Sequence, residues 1–344
     1  MSPFSKALHR VRDALTGYFL IEGSPIPLAM FRFMLGITVM YEASHNFRRI
    51  SYYTPDTFHF PYLKAISPLP IGDLARETLQ TAGPDALLGV MLANLAWPDT
   101  IEMLFAWEFV FGALLAVGLL TRLGAVGVLL TQGYALFICQ LNFRNHIYLL
   151  LLLVLIVLFS PANKALSFDA LFRRFLSRGA HVTKARWVPL MTQRLVGLQL
   201  VIMYFWAAVH KLQPGSLTGY PVGRAVSRAI KKASFSNWAL TPEQVAQLSE
   251  IFADPEWQPL FGHLTVLTEG FLAIGLLIPQ TRLAAVFVGI GLHFGIFATM
   301  DIRTFGLLSV SAYICFWLPR SRAIPIVGVE PQSEVEPAKP TQDA

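Results

Sequence analysis

Charge is what this sequence has least of. Only 14% of its 344 residues are Asp, Glu, Lys or Arg, against 54% hydrophobic residues. A soluble domain is about a quarter charged, so the shortage excludes an ordinary water-exposed globule. Cysteine is nearly missing too. Cys139 and Cys315 both lie in apolar runs. They give no disulfide framework or metal-ligand spacing, and they leave the redox compartment open. Also missing are a phosphate-binding glycine loop, GxSxG, CxxC and HxxxH. Local signatures for phosphate transfer, hydrolysis or a helical zinc site are therefore absent. No metal and no nucleic-acid partner is expected. The net charge of +6 reads as cytoplasmic Lys and Arg beside membrane segments.

What the chain does have is long apolar runs. A membrane span needs roughly 20 mostly apolar residues. Candidates lie at about 27–45, 101–120, 123–141, 146–161, 190–210, 260–279, 282–300 and 304–319. They predict an all-α integral membrane protein, a polytopic bundle of about eight transmembrane helices. The shorter run 84–97 is expected to lie on the outer surface. Residues 1–24 read as an amphipathic segment at the membrane surface, with no cleavable signal. Residues 25–320 form the bundle, and the proline-rich, polar stretch 321–344 is expected to be disordered. The connection 164–194 carries seven Lys or Arg against one acid. By the positive-inside rule both termini are cytoplasmic, in the inner membrane if the source is bacterial.

An internal repeat underlies the runs. "WEFVFGALLAVGLLTRLGAVGVLL" (107–130) resembles "TEGFLAIGLLIPQTRLAAVFVGI" (268–290). Each has an acid, Glu108 or Glu269, then an apolar span and a Thr-Arg-Leu turn. "NFRNH" (142–146) and "DIRTF" (301–305) follow at matching distances. The pattern points to two tandem four-helix halves of the same orientation. A small-solute transporter is a reading that this repeat alone favours.

Polar side chains within or beside spans carry the functional signal, because each is costly in lipid. Under the predicted topology Arg144, Asn145, His146, His210, Lys211 and Asp301 gather at the outer ends, and His293 lies within a span. Asn145 and His146 read equally as interhelical hydrogen-bonding residues or as site residues. Lys211 reads as a snorkelling cation or as a base at a pocket rim. Arg122 and Arg282 read as turn anchors. Glu108 and Glu269 are expected to pair with an arginine or with backbone groups, a proton relay being the alternative.

Five stretches carry a family likeness: "MFRFMLG" (30–36), "FHFPYLKAISPLP" (58–70), "RNHIYLLLLLVLIVLFSPANKALSFDAL" (144–171), "MYFWAAVHKLQPGSLTGYPV" (203–222) and "LHFGIFATMDIRTFGLLS" (292–309). In order and spacing the chain resembles the membrane region of the vitamin K-dependent γ-glutamyl carboxylase and its HTTM (horizontally transferred transmembrane) relatives. The resemblance implies a reduced vitamin K-like quinol as cofactor, with O2 and CO2. It implies that Lys211 is the catalytic base that deprotonates the quinol. Oxygen addition would then give a strong base that removes a glutamate γ-proton, and the carbanion would take up CO2. It also implies His146 as a second catalytic residue beside Asn145. Arg144, His210, His293 and Asp301 complete the expected pocket. Burial and a neighbouring cation such as His210 or Arg144 would favour the neutral amine that a base requires.

The chain departs from the carboxylase in two ways. It runs only about 25 residues past its last apolar run, without the large lumenal portion that captures protein substrates. His210 stands where the carboxylase has a second lysine. The expected partners are membrane lipids, a quinone-type molecule and a secreted peptide. The alternative function is a non-enzymatic membrane factor for maturation or export of such a peptide.

Overall fold

The computed structural model describes residues 17–19, 21–53, 100–138, 143–177, 187–231, 241–300, 303–317 and 321–323, with single positions at 5, 72, 73, 77 and 80. In chain order the main helices are α1 (Ile26–Phe47), α2 (Ile101–Val117), α3 (Thr121–Phe137) and α4 (Asn145–Leu158). The short α5 (Phe168–Leu176) precedes α6 (Met191–Lys211) and α7 (Pro214–Leu217). Then come α8 (Tyr220–Lys231), α9 (Pro242–Ala253), α10 (Gln258–Gly275), α11 (Arg282–Met300) and α12 (Arg303–Tyr313). Each of the eight long apolar runs coincides with a helix. The surface segment predicted at 84–97 and most of 1–24 lie outside the described residues.

Among the described residues, α1 and α6 are long and apolar enough to cross a membrane. Their packing reflects an apolar solvent. On α1 the inward face holds Leu28, Phe31, Leu35, Val39 and Ala43 at helical spacing, all fully buried. The opposite face is also apolar, with Ile26, Met30, Phe33 and Ile37 exposed. Leu130, Leu267, Leu283 and Phe287 extend this apolar exterior around the bundle. A helix in water would place charge there.

α1 packs most closely on α2, and α6 packs on α10. The chain neighbours α2–α3, α3–α4, α10–α11 and α11–α12 also touch. Helices distant in sequence also meet: α12 packs on α1, and α4 on α6. One core of Leu28, Leu35, Leu150, Leu153, Leu200, Tyr204, Leu272 and Leu308 joins α1, α4, α6, α10 and α12. Close approach of α1 and α2 depends on small residues, as is usual where helices pack in lipid. A side-chain carbon built at Gly36 would lie 2.6 Å from the Gly112 carbonyl oxygen.

Three strands tie one end of the bundle together. β1 (Ile21–Gly23) leads into α1, β2 (Val188–Pro189) leads into α6, and β3 (Ser321–Ala323) follows α12. β1 is central and antiparallel to both neighbours. Here the structure differs from the predicted boundaries. Ser321–Ala323, expected in a disordered tail, is a strand, because pairing with β1 satisfies its backbone groups. Residues 324–344 lie outside the described residues.

Turns at this end are held by side chains from far away in sequence. Arg32 donates to the carbonyls of Leu115 (2.5 Å), Ala116 (2.8 Å) and Leu166 (2.6 Å), which closes the C-terminus of α2. Arg282 donates to the carbonyls of Leu276 (3.1 Å) and Leu277 (3.2 Å) after α10, the turn-anchor geometry expected from sequence. Asp169 caps α3, accepting from the backbone of Leu120 at 2.7 Å and Thr121 at 3.1 Å and from the Thr121 hydroxyl at 2.8 Å. Partial burial opposes its charge, but these donors outweigh the burial and hold the Asp169 carboxyl below its ordinary range.

Two outcomes follow. Gly36→Ala forces α1 from α2 and costs about 1–3 kcal/mol, read by reversible unfolding in detergent. Asp169→Asn costs about 1 kcal/mol at neutral pH through the lost cap. Because the folded carboxyl titrates below its ordinary 3.8, the wild-type advantage is complete above that pH. It disappears as pH falls through the depressed folded value, which paired melting curves of the two proteins measure.

Candidate functional site

A cavity of about 740 Å³ opens at the end of the bundle opposite the strands. It lies where α4 begins and α6 ends. Tyr148, Leu149, Ile202, Met203 and Trp206 supply apolar wall. Arg144, Asn145, His146, His210 and Lys211 all reach it, so five of the predicted site residues share one space. α4 starts at Asn145, with Arg144 as the extended residue before its first turn. This places three consecutive polar residues at the mouth. α6 delivers His210 and Lys211 from its last turn.

Lys211 meets a carboxylate in this space. Its Nζ donates to both carboxylate oxygens of Glu269, at 2.6 and 2.7 Å. The two side chains are 34% and 10% exposed, so the pair is only partly shielded from the cavity. Glu269, expected to pair with an arginine or the backbone, therefore belongs to the site. Its partner comes from α6 because α10 packs along that helix.

Arg144 looks two ways. It lines the cavity, and its Nη2 forms an ion pair with Glu42 at 3.0 Å. The same nitrogen donates to Asn46 Oδ1 (3.2 Å) and to the Tyr53 hydroxyl (3.3 Å). The Tyr53 hydroxyl donates to Asn46 Oδ1 at 3.0 Å, and Thr304 donates to the other Glu42 oxygen at 2.5 Å. Gln132 accepts from Asn46 at 3.5 Å. Glu108 is fully buried near this network. Neither of its oxygens has a hydrogen-bond partner among the described residues, contrary to the pairing expected from sequence.

Of the remaining predicted residues, His293 lies elsewhere. His293 is 1% exposed and lines a separate apolar cavity of about 180 Å³. Its Nε2 is 2.5 Å from the Tyr204 hydroxyl, which lies 2.5 Å from that of Tyr313. Asp301 lies outside the described residues. Sequence reasoning missed Glu42, Asn46 and Tyr53. The available signal was Glu42, the one acid inside the first span. No cluster of three or more metal-ligating side chains occurs among the described residues.

The HTTM domain family matches residues 88–320. The chain belongs to that family: it carries a membrane domain related to the membrane domain of the γ-carboxylase. No solved structure matches the chain.

Removing the carboxylate beside Lys211 tests the pair. Glu269→Gln costs about 1–3 kcal/mol, because the ammonium loses a charged acceptor. Combined with Lys211→Met it costs less than the two changes summed, and a double-mutant cycle of unfolding free energies measures the difference.

Proposed function

We propose that the cavity binds a quinol-like lipid and that Lys211 takes the proton from its hydroxyl. One observation carries the reading: Lys211, His146, Asn145 and Arg144 line the same cavity. Its volume suits such a ligand, since small-molecule pockets span about 300–1,000 Å³. Apolar wall accommodates a ring and its lipid tail, while the polar end addresses an oxygen.

A quinol bound there would supply the electrons that reduce O2. The chain supplies proton handling. An amine takes a proton only through a free electron pair. Lys211 gains one by passing a proton along its 2.6 Å hydrogen bond to Glu269. The hydroxyl proton then moves to the freed nitrogen. Glu269 thus serves as the proton's next station. His146 and Asn145 offer donors to the oxygen that loses its proton, and Arg144 adds a fixed positive charge. Quinol oxidation is the generic form of this activity, and glutamate carboxylation with CO2 is the specific form.

The same reading places the eight long helices across the membrane as two tandem four-helix halves. The strand cluster supports it. Entry to α1, entry to α6 and exit from α12 all meet at one end, as two complete up-and-down halves require. The basic connection 164–194 supports a cytoplasmic location for that end. The cavity then faces outward.

The test uses purified protein reconstituted in lipid with a naphthoquinol. Lys211→Ala and Lys211→Arg each lower oxygen-dependent quinol turnover by about 100-fold or more, with melting temperature retained. Turnover that survives both changes removes the base role. Full biological activity of both variants, with no turnover by the wild type, favours the non-enzymatic peptide-maturation factor.

A further inference from the structure

Among the described residues, the network behind the cavity holds two carboxylates and one guanidinium. Glu42 on α1 and Glu108 on α2 are both 0% exposed. The charges acting on Glu108 are those of Glu42 and Arg144. Arg144 makes its ion pair with Glu42, whose other oxygen accepts from Thr304. Tyr53, from the turn after α1, also faces Glu42, Glu108 and Arg144. His45 on α1 and His146 on α4 lie within reach of the same group of charges. α3 contributes the neutral amide of Gln132.

Two carboxylates against one guanidinium would leave a net negative charge in an apolar interior. The cost falls on Glu108, whose two oxygens are sealed inside the bundle and meet no hydrogen-bond donor among the described residues. A carboxyl in that setting is neutral, because an unpaired buried charge is far costlier than a retained proton.

The geometry points to a proton-binding site at Glu108, coupled through Arg144 to the charge of whatever occupies the cavity. Arg144 is 28% exposed and reaches both spaces, so its charge is shared between Glu42 and an occupant. An anionic head drawn to Arg144 weakens its hold on Glu42. The carboxyl pair then takes up a second proton, which departs when the anion leaves. The occupant that drives uptake is an amphiphile with an anionic head, matching apolar wall on one side and Arg144 on the other. The coupling holds whether or not Lys211 acts as a base.

Infrared difference spectroscopy of the reconstituted full chain reads the proton directly, through the carbonyl stretch of a protonated carboxyl and its shift in deuterium oxide. Wild type shows the band at neutral pH, and Glu108→Gln loses it. Glu108→Asp, which keeps the acid, moves the band and serves should the Gln variant fail to fold. Arg144→Gln leaves two buried carboxyls without their cation, so the band roughly doubles. Octanoate is the probe for the cavity: it increases the band in wild type and leaves it unchanged in Arg144→Gln. A wild-type spectrum without a band that responds to Glu108 overturns the proton site. A band indifferent to both Arg144→Gln and octanoate overturns the coupling. Neither result bears on quinol turnover by Lys211.

Discussion

Surrounded by an apolar solvent, a polar group must find its partner inside the protein, and this constraint orders the whole bundle. Arg32 shows it most directly. A guanidinium buried at the end of α1 is tolerable because three carbonyls, left without donors where α2 stops and near Leu166, converge on it. The arginine satisfies the carbonyls, and they in turn engage both of its terminal nitrogens. Asp169 does the reverse for the first amides of α3. The turn between α2 and α3 is thus held from both sides by residues distant in sequence.

At the other end the constraint yields chemistry. Lys211 and Glu269 complete each other on the cavity wall. Arg144 completes Glu42 while keeping part of its surface for the cavity. The two repeats solve the problem of an intramembrane acid differently. Glu269, in the second half, meets an ammonium from the helix beside it. Glu108, its counterpart in the first half, meets no donor among the described residues. The symmetry of the sequence pattern is therefore broken in its electrostatics, and the paired acid is the one that lines the open cavity.

Much of this architecture is legible in the chain. Apolar run length located the eight long helices, because a helix facing lipid is apolar on all sides and leaves an unbroken signal. Gathering of Arg144, Asn145, His146, His210 and Lys211 followed from placing span ends on one side. Pairings between helices were not legible. Nothing local in the sequence says that Glu269 faces Lys211, or that Arg144 turns toward Glu42; those contacts depend on helix rotation and crossing. His293 shows the same gap: its depth in a helix was readable, but the face it occupies, toward Tyr204 and a separate cavity, was not. Short strands also escape pattern reading, since two or three residues hold no periodicity.

The strand cluster has a consequence for how the chain is assembled. β1 emerges early in synthesis, β2 near the middle, and β3 only after α12. The central strand therefore waits, with one edge unpaired, until nearly all the helices exist. Its final pairing is a latch that closes on a nearly complete set of helices, and a ribosome stalled short of Ala323 leaves that latch open.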